Sequence, residues 1–145
     1  MSAMDKKKNN KLLSIADSKL RASSIFNEGN IKDSYNSSIA AFSVSIAMSG
    51  LRPTLAIYYH KEDRKNILEI IAQMLLDEQN IYYTFLSDVC NKNTTIVVNN
   101  AETLLRYAFY CNDEEMKKLQ KETIDCAIAL KQVVRTYNLK KDEEN

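Results

Sequence analysis

Apolar residues recur along this chain three and four positions apart, the interval that gathers side chains on one side of an α-helix. The clearest run is Ile67, Ile70, Ile71, Met74 and Leu75, which predicts a helix over about Asp63 to Gln79. Tyr35, Ile39, Phe42 and Ile46 mark another over Lys32 to Ser49, closed by Ser49-Gly50. Glycine suits a C-terminal cap because it enters the left-handed region without a Cβ clash, and that conformation is expected of Gly50. Pro53 follows, where a first-turn proline forgoes no needed hydrogen bond. A short helix over Pro53 to Tyr59 then continues the stripe through Leu51, Leu55 and Tyr58 or Tyr59. Ahead of these, a helix over Lys11 to Glu28 carries Leu13, Ala16, Leu20 and Ser23 or Ser24 on one face. Beyond them, Leu104, Leu105, Ala108 and Phe109 predict a helix over Asn100 to Tyr110. The last helix is capped by Asn112 or Asp113, with Glu114 and Glu115 favourably placed in its first turn. Its core stripe is Met116, Leu119, Thr123, Cys126, Ala127, Leu130, Val133, Val134 and Tyr137.

Between residues 80 and 100 the helical period fades. Ile81–Phe85 and Thr94–Val98 are β-prone, with Asn91-Lys92-Asn93 as a possible turn. An isolated hairpin is marginal in water, so irregular helix and loop is the favoured reading. Residues 1–10 read as a flexible polar tail, 11–138 as one helical bundle domain and 139–145 as a charged C-terminal tail. The expected fold is all-α, a single-domain bundle of about six helices with short connections.

Composition narrows the picture further. Only two glycines and one proline occur in 145 residues, far too few turn residues for a β-sandwich. The 20 basic and 19 acidic side chains leave a net charge of +1, which disfavours a free-standing, strongly basic nucleic-acid binder but permits a local basic strip. Three cysteines, Cys90, Cys111 and Cys126, share no metal-ligand spacing and read as reduced thiols of a cytoplasmic protein. No apolar run approaches the roughly 18 to 20 residues of a membrane span.

Motifs for catalysis are sparse. His60, the only histidine, has no base, nucleophile or metal partner beside it in sequence. Paired Glu-x-x-His helices, zinc-ligand spacings and a glycine-rich phosphate loop are all missing, so no cofactor and no metal are expected. Cys126 falls in a core stripe, as a small hydrophobe would.

One arrangement on the last helix stands apart. At about 100° per residue, Lys117, Lys121, Ile124, Ile128, Lys131 and Arg135 fall in one narrow wedge beside the core face. Lysine stems covering an apolar edge would produce this pattern. So would a docking surface whose isoleucines, Ile124 and Ile128, meet a protein while its cations meet phosphate. Lys19, Arg21 and Lys61 are the next candidates for meeting a phosphate backbone should that surface lie elsewhere.

Two blocks carry a family resemblance. An apolar helix ends in Ser49-Gly50-Leu51 and is followed by Thr54-Leu55-Ala56-Ile57-Tyr58, and Leu119-Gln120-Lys121-Glu122-Thr123 leads to Leu130-Lys131. In order, spacing and helical character, about residues 11 to 138 resemble the small subunit of the Cmr-type (type III-B) CRISPR effector complexes. Ala129 and Gln132 stand where that family tends to have tryptophan and arginine. The resemblance implies an all-α, non-catalytic protein acting in antiviral defence. It also implies that several copies pack along the repeated backbone subunits and line the groove holding guide RNA and target RNA. Neither a membrane nor a small-molecule substrate enters that role. Lys131 is the one basic position that transfers from a family motif; the others rest on the helical wheel. A generic helical adaptor or dimerisation module remains the alternative, and an enzyme built around Tyr82, Tyr83 and His60 a more distant one.

Overall fold

The computed structural model describes residues 5–85, 90–91 and 94–141. Among these residues lie six helices: α1 (Lys6–Arg21), α2 (Asp33–Ser49), α3 (Leu51–His60), α4 (Glu62–Leu76), α5 (Ala101–Tyr110) and α6 (Asp113–Val134). Four short strands join them: β1 (Asn30–Lys32), β2 (Cys90–Asn91), β3 (Thr94–Thr95) and β4 (Asn138–Lys140). Helix α6 lies at the centre, packed against α1, α2 and α4, while α3 bridges α2, α4 and α5. The mostly helical bundle matches the fold expected from the apolar period.

The predicted stripes of α2, α4 and α6 are buried as expected, with Met116 and Tyr137 only partly so. Phe42 and Tyr58 meet edge to face at 5.0 Å in the core, which settles the choice between Tyr58 and Tyr59. In α5 the stripe is displaced. Tyr107 is fully buried and donates to Glu115 at 3.0 Å, whereas Phe109 is 39% exposed.

Three expectations need correction. Helix α1 begins at Lys6 rather than Lys11, so residues 6–10 are helical and not a polar tail. Asp5 accepts the Lys8 amide at 2.8 Å as an N-cap, and the buried side is Lys8, Leu12, Ile15, Ala16 and Leu20, with Leu13 only partly covered. The same helix stops at Arg21, where Ser23 Oγ donates back to the Leu20 carbonyl at 2.6 Å. The chain then turns through Asn27-Glu28-Gly29-Asn30, both central residues having positive φ. Finally, residues 138–140 are a strand: β4 lies parallel to β1, pairing Asn30 with Asn138, Ile31 with Leu139 and Lys32 with Lys140. Ile31 and Leu139 turn toward the core, which is what recruits the charged C-terminal segment.

In the 80–100 region the irregular reading holds for residues 81–85 and 96–99, while β2 pairs antiparallel with β3; Lys92 and Asn93 of the expected turn lie outside the described residues. The pairing is two residues long on each side, and Ile81–Phe85 takes no part in it.

Gly50 has φ 91° and ψ 166°, so φ is positive as expected, but ψ is extended rather than left-handed helical. Its amide still closes α2 on the Ile46 carbonyl at 2.8 Å.

Candidate nucleic-acid and partner interface

Helix α6 displays the basic strip because one side of it is committed to the core. Asn112 caps its start, accepting the Glu115 amide at 2.8 Å. From Leu119 to Val134 the apolar positions turn inward, leaving Lys117, Lys121 and Arg135 exposed on the other side. Between them Ile124, Ile128 and Lys131 are half-buried, and Ile124 leans on the core instead of standing free.

The four cations of the strip are not equivalent. Lys121 Nζ lies 3.2 Å from Asp125 and 3.8 Å from Glu122, so carboxylates just outside the wedge already neutralise it. Lys117, Lys131 and Arg135 make no ion pair among the described residues. The candidate set for meeting phosphate therefore reduces to these three.

Behind Lys121 sits an ionic cluster that sequence reasoning missed. Lys8 of α1 reaches across to Glu122 at 2.7 Å and Asp125 at 2.8 Å, all three nearly buried, with the Tyr82 ring 5.1 Å from the ammonium. Burial alone would lower the Lys8 pKa; the bonds to Asp125 and Glu122 outweigh it and hold the ammonium above its ordinary value. Glu122 Oε1 is buried with no hydrogen-bond partner. A signal was present: Lys8 extends the Leu12, Ile15 stripe back by one turn.

Two of the second-choice cations, Lys19 and Arg21, are engaged in structure. Lys19 bridges to Asp77 at 2.9 Å, and its hydrogen bond holds the Asp77 carboxyl below the usual carboxylate range. Arg21 donates to the Tyr137 hydroxyl at 3.1 Å and covers the Phe26 ring at 5.1 Å, while Tyr137 donates to Asp17. Lys61 is exposed at the α3–α4 corner, where its carbonyl accepts the Lys65 amide at 2.8 Å. Arg52, not singled out from sequence, donates to the carbonyls of Ala108 at 2.6 Å and Cys111 at 2.9 Å. It thereby serves as a cationic cap at the end of α5.

Cys111 and Cys126 are buried, and burial pushes both thiols up. His60 is the exposed last residue of α3, and no hydrogen bond or ring contact joins it to Tyr82 or Tyr83. Tyr83 is buried against Phe85, and burial raises its hydroxyl pKa. Among the described residues no group of three or more His, Cys, Asp or Glu is placed to hold a metal ion. No described helix is long and apolar enough to cross a membrane.

Comparison with protein families adds the deciding observation. The model of the CRISPR-associated protein family Cas_Cmr5 matches residues 14–137. The chain belongs to the Cas_Cmr5 family. It is thus a CRISPR-associated subunit of the Cmr complex, the assembly its sequence resembles. The Cas_Cmr5 span covers helices α2 to α6 and the second half of α1, including the whole strip from Lys117 to Arg135. Lys8 and β4 lie outside it. No curated protein and no solved structure matches the chain.

Proposed function

We propose that this chain is the non-catalytic small subunit of a type III-B RNA-guided, RNA-targeting complex in the cytoplasm. It packs along the repeated backbone subunits and further copies of itself, and helps hold guide and target RNA. The observation that carries the RNA part is the α6 strip: Lys117, Lys131 and Arg135 carry charges that no carboxylate among the described residues neutralises, on a helix packed against α1, α2 and α4. A cation without a protein partner is free to displace counterions from phosphate. The half-buried Ile124 and Ile128 between them suit contact with a protein neighbour. Support for the non-catalytic part comes from the groups that could act as nucleophiles or bases. Burial pushes the Cys111 and Cys126 thiols up, away from the nucleophilic thiolate, and His60 makes no hydrogen bond or ring contact with Tyr82 or Tyr83.

Reconstitution with the Lys117→Ala/Lys131→Ala/Arg135→Ala variant tests the reading. Target-RNA affinity is titrated at several salt concentrations, and the log–log slope is expected to flatten by about 2 to 3, at roughly 0.7 to 0.9 per lost phosphate contact. Wild-type affinity and slope would remove this face from the RNA groove. Normal RNA binding combined with lost assembly in an Ile124→Ser/Ile128→Ser variant would favour the adaptor reading. RNA cleavage by the purified chain with magnesium or manganese, abolished by a point substitution, would overturn the non-catalytic assignment.

A further inference from the structure

The parallel ladder of β1 and β4 sets Lys32 directly opposite Lys140. Like charges facing each other across strands destabilise a sheet, and this sheet is only three residues long. Both lysines are exposed, and neither they nor the adjacent Lys141 pairs with a carboxylate among the described residues. All three line a cleft of about 640 Å³. Asn27 and Asn30 also line it, contributing amide donors and acceptors, with Tyr35 at its inner side. One lip is the turn in which Glu28 holds φ 51°, a conformation costly for a glutamate. Glu28 and Asp33 are the exposed acidic residues flanking the cleft, but neither lines it.

Repulsion between Lys32 and Lys140 is relieved by an anion seated between them. The cleft is much larger than one phosphate needs and falls in the size range of nucleotide-scale pockets. Its amides can meet sugar hydroxyls and base edges, which a bare inorganic anion lacks. We propose that the β1–β4 cleft binds the phosphodiester backbone of single-stranded RNA, with Lys32 and Lys140 holding one phosphate between them. This deepens the RNA-holding role proposed above and rests on it, but at a second place: the strand end of the bundle, outside the α6 strip.

The test uses the full chain and a fluorescein-labelled single-stranded oligoribonucleotide, titrated by anisotropy from low salt upward. Loss of two contacts in Lys32→Gln/Lys140→Gln is expected to flatten the log–log salt slope by about 1.4 and weaken binding roughly 25-fold at 0.1 M salt. Lys32→Arg/Lys140→Arg is expected to keep both affinity and slope, because both charges remain. Without RNA, the Gln variant is expected to melt about 1 to 3 °C higher because the repulsion is gone. Asp142, Glu143 and Glu144 follow Lys141 in sequence, so the titration is repeated with all three changed to their amides. No RNA binding in that background at low salt, or an unchanged slope in the Gln variant, overturns the proposal. If the α6 variant weakens RNA binding by the complex while the strand variant does not, the cleft assignment falls and the subunit's RNA role stands. If neither variant changes anything, both fall.

Discussion

Gly50 shows how one residue sets a corner. With φ 91° and ψ 166° it occupies a region open almost only to glycine. A Cβ added there would find nothing nearer than Pro53 Cδ at 3.8 Å, an ordinary contact. The penalty for any side chain is therefore conformational, not steric. Gly50→Ala and Gly50→Val are both expected to cost about 1 to 3 kcal/mol, read from thermal or urea unfolding. An unchanged midpoint would show ordinary backbone geometry at residue 50. Glu28 presents the opposite case, a side-chain residue at φ 51° in a turn that asparagine tolerates better. Glu28→Asn is expected to stabilise by about 0.5 to 1 kcal/mol in the same measurement.

At the scale of elements, α1 and α6 are joined by both apolar packing and charge. Removing Lys8 strands two carboxylates in a nearly buried place, with only Lys121 left to offset them. Lys8→Met is expected to cost about 3 kcal/mol, and Lys8→Met/Glu122→Gln/Asp125→Asn much less, because no unpaired charge remains. Equal losses in the two variants would show that the lysine stem, not the ion pairs, is what matters. The difference between α1 and α4 explains what was readable beforehand. Helix α4 announces itself through five apolar residues at helical spacing, and its burial follows locally. Helix α1 opens with Lys-Lys-Lys-Asn-Asn, and the burial of Lys8 there is compensated by carboxylates 114 and 117 residues away. No local pattern encodes a partner at that distance. Strand β4 is a similar case: Asn138-Leu139-Lys140 acquires its conformation only from Ile31 and its neighbours. The α6 strip was legible as a helical wedge, but the pairing that removes Lys121 was not, since Asp125 falls just outside that wedge.

For the whole molecule, pH and chain topology set the limits. Asp77 has its pKa lowered, first by the hydrogen bond from Lys19, so that pair stabilises the fold above the ordinary carboxylate value of about 4. The contribution is lost as pH falls through the lower folded-state value. Lys19→Gln is expected to lower the melting midpoint at neutral pH and to make its decline below about pH 4 shallower. Parallel curves for the two proteins would refute this. Lys8 has the opposite sign: its raised pKa stabilises fully below about pH 10.5 and is lost only in stronger alkali. Bringing first and last elements together has a further consequence, for the order of folding events. Lys8 meets Glu122 across 114 positions, Asp17 meets Tyr137 across 120, and β1 waits for β4. Closing such long loops must precede the contacts that reward it, which slows a helical protein relative to an up-and-down bundle of equal length. During synthesis α1 emerges before α2 to α5, and its principal partner α6 only after them. Until α6 arrives, the apolar ridge of Leu12, Ile15 and Leu20 lacks its principal cover and has only α4 beside it, so a chain ending at Tyr110 is expected to aggregate instead of folding as a half-domain.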